Sequence, residues 1–153
     1  MTLGQQILWG SGFLGLCLIL NVVFLALFTQ WLGAIIDCVK RLSILTQISA
    51  VLLATLAVIV FAITVQVWIW AFVWISYEVL DDWNSAVYFS LVTFTSLGYG
   101  DIVLGPQVRV FAAFASVTGL LAFGFNTAYL VALMARLFGG DKLVSTLSQQ
   151  RRE

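Results

Sequence analysis

Apolar residues fill three long stretches of the chain, Ile7 to about Ile36, about Ile44 to Ile75, and Pro106 to Phe138. The first is interrupted only by weakly polar positions such as Asn21, Thr29 and Gln30. A helix needs about 20 apolar residues to cross a bilayer, so each stretch predicts a membrane-spanning helix, the later two long enough to tilt or project. A fourth apolar run, Trp83 to Phe94, is too short to cross and matches a re-entrant element. Asn84 or Ser85 can cap its start. Pro106 suits the first turn of the last helix, and Gly139 with Gly140 suits its end. Gly10, Ser11, Gly12 and Gly15 either let the first helix approach a neighbour closely or merely fill space.

Composition agrees with this pattern. Of 153 residues 62% are hydrophobic and 9% charged, too few charges to coat a soluble globule. The expectation is an all-α membrane protein whose length leaves no room for a separate water-soluble domain. Met1 to Gln6 carries no basic residue, and the run after it is too long for a signal core, so the first span is expected to stay in the mature protein. A net charge of zero without an extended basic patch argues for no nucleic-acid partner. Cys17 and Cys38 have a spacing that suits neither a disulfide framework nor zinc, and read as small packing residues. With no histidine and no clustered buried carboxylates, neither catalysis nor a cofactor is expected.

The positions of the charges matter more than their sum. Lys40 and Arg41 follow the first span, and Arg136, Lys142, Arg151 and Arg152 lie at or after the end of the third, leaving Arg109 as the exception among seven basic residues. If that side is cytoplasmic, three spans put the amino terminus outside and the carboxyl terminus inside. Glu78, Asp81, Asp82 and Asp101 then face outward, where acids raise the local cation concentration or simply sit in a solvated loop. Trp9, Trp74 and Trp83 fall near the outer interface and Trp31 near the inner one. A chain this small without a sorting signal fits a bacterial inner membrane.

After the short apolar run comes Thr95-Ser96-Leu97-Gly98-Tyr99-Gly100-Asp101, whose glycines and lack of helical period predict that the backbone leaves the helix. Such backbone at membrane depth is tolerated only where it is buried in protein or lines a watery path, which points to a pore. A dehydrated potassium ion needs about eight oxygen ligands, and rows of backbone carbonyls from several chains can supply them. Consecutive carbonyls face one axis if the backbone alternates between right- and left-handed conformations, and Gly98 and Gly100 sit where the left-handed ones are needed. Tyr99 between them can turn its ring outward and pack behind the carbonyls.

The run Thr93-Phe94-Thr95-Ser96-Leu97-Gly98-Tyr99-Gly100-Asp101 resembles the selectivity filter of the tetrameric potassium channels, and the order of helices from about residue 44 to 138 is similar to theirs. The resemblance implies a homotetramer around one central pore for passive potassium transport. It divides the chain into an added helix and loop (1–43), an outer helix (44–78), a pore helix (84–94), a filter (95–101), an inner helix (106–138) and a cytoplasmic tail (139–153). It implies that the carbonyls of Ser96, Leu97, Gly98 and Tyr99 and the Ser96 hydroxyl hold potassium, with Gly100 completing the filter. Thr95 and Asp101 are its support, Asp101 through a bracing hydrogen bond. Potassium is the permeant ion and no cofactor is implied.

The sequence departs from the family at several positions. Ser96 stands where threonine is usual, Leu97 where valine is more frequent, and Val92 where many members have a polar group behind the filter. Tyr88 and Phe89 replace the paired tryptophans of some members, so the shell supporting the filter differs.

In the inner helix Asn126 and Thr127 are deeply placed polar residues, one of which is expected to line the cavity. Gly119 and Gly124 serve as a gating hinge or permit close packing, and by resemblance Gly119 lies near the hinge position. The first span is expected to pack outside, against lipid or a neighbouring subunit. No span carries an arginine ladder for voltage sensing. A non-selective cation channel and a non-conducting scaffold share these residues; bi-ionic reversal potentials separate the first rival, and the second predicts no conductance from the purified protein alone.

Overall fold

The computed structural model describes the backbone of residues 1–39 and 43–150, and side chains as far as Leu137. Among these residues the helices are α1 (Leu3–Val39), α2 (Ile44–Ser76), α3 (Trp83–Phe94) and α4 (Arg109–Gln150), and there is no strand. Three apolar helical stretches are long enough to cross a membrane: Leu3–Val39, Ile44–Ser76 and Arg109–Leu137. At about 1.5 Å per residue, the 29 residues of the shortest exceed the ~30 Å hydrocarbon core. The 12 residues of α3 do not reach across it.

The helix ends show what sets the boundaries. Ser43 starts α2, its Oγ accepting from Thr46 N at 3.4 Å. The start of α3 is capped by Asp82 rather than by Asn84 or Ser85: the Asp82 carboxylate accepts from Ser85 N at 3.0 and 3.2 Å. An ionised cap is favoured there because it satisfies an orphan amide and meets the positive end of the helix dipole. Pro106 lies in a turn before α4, which begins at Arg109. The reason is in α1: Gln6 is buried, and its Oε1 accepts from Val110 N at 3.1 Å and Phe111 N at 3.3 Å, so a side chain serves amides left free at the start of α4.

Two further boundaries differ from expectation. α2 ends at Ser76, short of residue 78. α4 runs on through Gly139 and Gly140 to Gln150. A glycine inside a helix costs about 1 kcal/mol relative to alanine, and the segment beyond, with Lys142, Leu143, Leu147 and Gln149, supplies good helix formers.

α1 packs against both α2 and α4 of its own protomer, not only against lipid or a neighbour. Of its glycines only Gly10 lies in tight contact: a Cβ there would collide with the Phe114 ring, whereas Gly12 and Gly15 face open space. One core cluster joins Trp70, Trp74, Phe94 and Phe111, with Cys17 from α1. A second, nearer the other end, joins Phe28, Leu32, Val51 and Leu133. Surrounding lipid is as apolar as these side chains, so the gain here comes from close packing and buried polar contacts.

Trp74 belongs to this interior rather than to an interfacial belt: it is fully buried and its indole N–H donates to Ser90 Oγ at 2.9 Å, tying α2 to α3. Trp9, Trp31 and Trp83 are exposed. Cys38 is exposed as well, so only Cys17 acts as a packing residue. Lys40 and Arg41, and the side chains of Lys142, Arg151 and Arg152, lie outside the described residues.

Candidate functional site

The segment 95–101 is launched by the way α3 ends. Thr95 caps the helix, and Ser96 comes next with φ 58°, in the left-handed region. The Ser96 amide donates to Thr93 O and the Leu97 amide to Val92 O, both at 3.0 Å, which is the paired-bond cap that usually recruits glycine. The Thr95 hydroxyl donates back to Leu91 O at 2.7 Å. The Thr95 side chain is thus bonded back into α3 and not forward along the segment.

Beyond the cap the backbone keeps alternating. Gly98 has φ 54° and Gly100 φ 79°, while Leu97 and Tyr99 are absent from the positive region. The Gly98 amide also turns back toward Val92 O, at 3.3 Å. Amides at 97 and 98 are thus spent on the helix behind. Val92 contributes through its carbonyl what its apolar side chain cannot.

At the far end of the segment, the Tyr88 hydroxyl donates to Asp101 Oδ2 at 2.7 Å. This bond holds the Asp101 carboxyl below the usual carboxylate range and pushes the Tyr88 phenol up. Tyr88 is the partner that sequence reasoning did not assign to Asp101, because no local period links positions 13 residues apart across a helix end. Leu97 and Tyr99 are both exposed, Tyr99 to 69%, so no side chain of the same protomer covers the Tyr99 ring.

Residues 58–136, just over half of the chain, match the protein family described as Ion channel. The chain belongs to this ion-channel family. It is a multi-pass membrane channel protein and not an enzyme. Comparison with curated proteins and with solved structures gives no match. The matched region of the channel begins inside α2, contains α3 and the 95–101 segment, and ends within α4.

Gly119 on α4 lies directly behind the end of α3. A Cβ at this position would overlap the Phe94 carbonyl oxygen and approach its carbon to 2.7 Å, so the glycine is required for close approach. Gly124 has nothing within 4 Å of its would-be Cβ and is open on the protomer surface.

The two polar residues singled out on α4 part ways. Thr127 is exposed. Asn126 is buried and turned away from any open face: its Oδ1 accepts from Asn21 Nδ2 of α1 at 3.1 Å. Asn21 Oδ1 in turn accepts from Gln66 Nε2 of α2 at 3.2 Å, which joins all three spans through amides. Polar side chains of this kind hold helices together in lipid by about 1 kcal/mol each. Gln66 Oε1 and Asn126 Nδ2 have no partner in the protomer. The network escaped sequence reasoning because its members come from α1, α2 and α4 and no local spacing links them.

Proposed function

We propose that four copies of this chain surround one axis and pass potassium selectively down its gradient. The carbonyl oxygens of Ser96, Leu97, Gly98 and Tyr99 and the Ser96 hydroxyl take the place of the ion's water shell, with Gly100 completing the filter. The strongest support is the alternation of backbone handedness at Ser96, Gly98 and Gly100 in a segment emerging from a helix too short to span. Amides at 97 and 98 bond backward to Val92 O, and among the described residues no hydrogen bond ends on the carbonyls of Ser96, Leu97, Gly98 or Tyr99, which is what ligation by those oxygens requires. The carboxyl end of α3 adds about half a negative charge per copy where a cation would rest.

Three further copies and membrane lipid are the partners in this reading, with no nucleic acid and no cofactor beyond the permeant ion. The Tyr99 ring, uncovered in the protomer, packs against a neighbouring copy, and Thr127 lines the cavity. The amino terminus lies outside and the carboxyl terminus in the cytoplasm of a bacterial inner membrane.

The test is ion flux from liposomes holding only the purified protein, with potassium and with sodium, for the parent chain and Gly98→Ala. Alanine at φ 54° is strained by about 1–2 kcal/mol, so the expected result is potassium flux above sodium flux, abolished in the variant. Equal sodium flux would instead mean a non-selective cation channel. No flux under any condition would leave either a closed gate or a scaffold that acts through partners.

A further inference from the structure

Near the end of α1, the groove between α1 and α4 opens into a crevice of about 400 Å³. Its walls are of two kinds. Leu32 and Leu133 are buried at its floor, flanked by the half-buried Ile36 and Leu137, which continue the second core cluster. Gln30, Thr29 and Arg136 supply polar groups. The Thr29 hydroxyl is already engaged, donating to Leu25 O at 2.8 Å and accepting from the Tyr129 hydroxyl at 2.8 Å. Arg136 differs: among the described residues its guanidinium has neither a hydrogen bond nor an ion pair, and the Gln30 amide is likewise unbonded. Asp37, the next acid along α1, is not part of the lining.

A guanidinium at the end of a membrane-spanning helix, beside a greasy floor, is matched in charge by a phosphate that carries acyl chains. Basic pockets between spanning helices on the cytoplasmic side attract anionic headgroups for this reason, and the planar donor fork of arginine bonds phosphate in pairs. We propose that this crevice binds one anionic phospholipid per protomer, with its phosphate on Arg136 and Gln30 and the upper part of an acyl chain over Leu32, Ile36 and Leu133. The assignment of the crevice to the cytoplasmic leaflet rests on the orientation proposed above, whereas binding itself does not. Because α1 forms one wall and lies outside the region matched to the ion-channel family, the site is an addition made by the extra helix.

The test is native mass spectrometry of the purified full-length protein, offered phosphatidylglycerol and phosphatidylcholine of identical chains. This readout needs no conduction, so it stands whether or not the flux experiment succeeds. The expected result is retention of phosphatidylglycerol about fivefold or more over phosphatidylcholine, lost in Arg136→Gln and kept in Arg109→Gln at the opposite end of the apolar span Arg109–Leu137. Gly33 also lines the crevice and has open space where a Cβ would stand. Gly33→Leu should therefore fill the crevice and lower retention with every charge intact, which covers the case of an Arg136→Gln protein that does not fold. Excess inorganic phosphate should leave the lipid bound. Equal retention of the two lipids by the parent, unchanged preference in Arg136→Gln and Gly33→Leu, or complete displacement by inorganic phosphate would each overturn the proposal.

Discussion

α2 and α3 end in the same backbone geometry, with a non-glycine residue in the left-handed region: Glu78 at φ 53° after α2 and Ser96 at φ 58° after α3. The bonds correspond one for one. Glu78 N donates to Ile75 O at 3.0 Å and Val79 N to Trp74 O at 2.9 Å; Ser96 N donates to Thr93 O and Leu97 N to Val92 O, each at 3.0 Å. Glycine would relax either cap by about 1 kcal/mol. The chain beyond the two caps differs. After Glu78 it lays Val79 and Leu80 against the core and the alternation stops. After Ser96 it continues through Gly98 and Gly100, with the backbone uncovered in the protomer. The same strain is thus incidental at Glu78, whose exposed side chain makes no described contact, and coincides at Ser96 with a hydroxyl that glycine would delete. Strain kept where a functional group sits is the arrangement expected of a site.

Breaking the α3 end from behind should have the largest effect. Gly119→Ala pushes a methyl group into the Phe94 carbonyl, a backbone atom that cannot step aside cheaply, and should cost about 2–3 kcal/mol. Gly124→Ala meets open space in the protomer and should be neutral or slightly stabilising through helix propensity. Thermal unfolding of the two variants in detergent checks this, and a loss at Gly124 as large as at Gly119 would remove the packing explanation. The same geometry means that altered gating in Gly119→Ala cannot by itself identify a hinge.

The two caps themselves give the next comparison. Ser96→Gly should raise stability by about 1 kcal/mol and lower the potassium-to-sodium flux ratio, because the hydroxyl is lost while the backbone is relaxed. Glu78→Gly should bring a similar gain in stability and leave the flux ratio where it was. If both variants shift selectivity alike, the caps are equivalent and the Ser96 hydroxyl holds no ion.

Much of this arrangement was legible in the sequence, and for a definite reason. Apolar run lengths located all three spans, and the short helix falls at Trp83–Phe94, the limits of the apolar run itself. The left-handed glycines were readable because their placement depends on local backbone chemistry. Contacts between distant residues were not readable. Gln6 serving the start of α4, and Asn21 joining Gln66 and Asn126, link positions 45 to 105 residues apart. Trp74 had the composition of an interfacial residue, yet Ser90 on α3 gives its indole a buried partner. Gly119 read equally as hinge or contact until the position of Phe94 O was known.

The smallest expected effect lies at the outer end of the segment and is read against pH. The bond is made by neutral Tyr88 and ionised Asp101. Asp101 titrates lower in the folded protein than unfolded, so its contribution is present above its unfolded value and lost as pH falls through the depressed one. Tyr88 titrates higher when folded, so its contribution is present below its unfolded value and lost only as pH rises through the raised one. Between about pH 5 and 9 neither group changes charge, and potassium flux should be flat. Tyr88→Phe deletes the donor, and the Asp101 carboxyl then rises back toward the usual carboxylate range. Flux in that variant should begin to fall at a higher pH on acidification than in the parent, and Tyr88→Trp, whose indole N–H can replace the hydroxyl, should restore the parent profile. Coincident acid limbs in all three proteins would mean that the Tyr88–Asp101 bond does not brace the conducting segment, and that the exposed pair is no more than a surface contact.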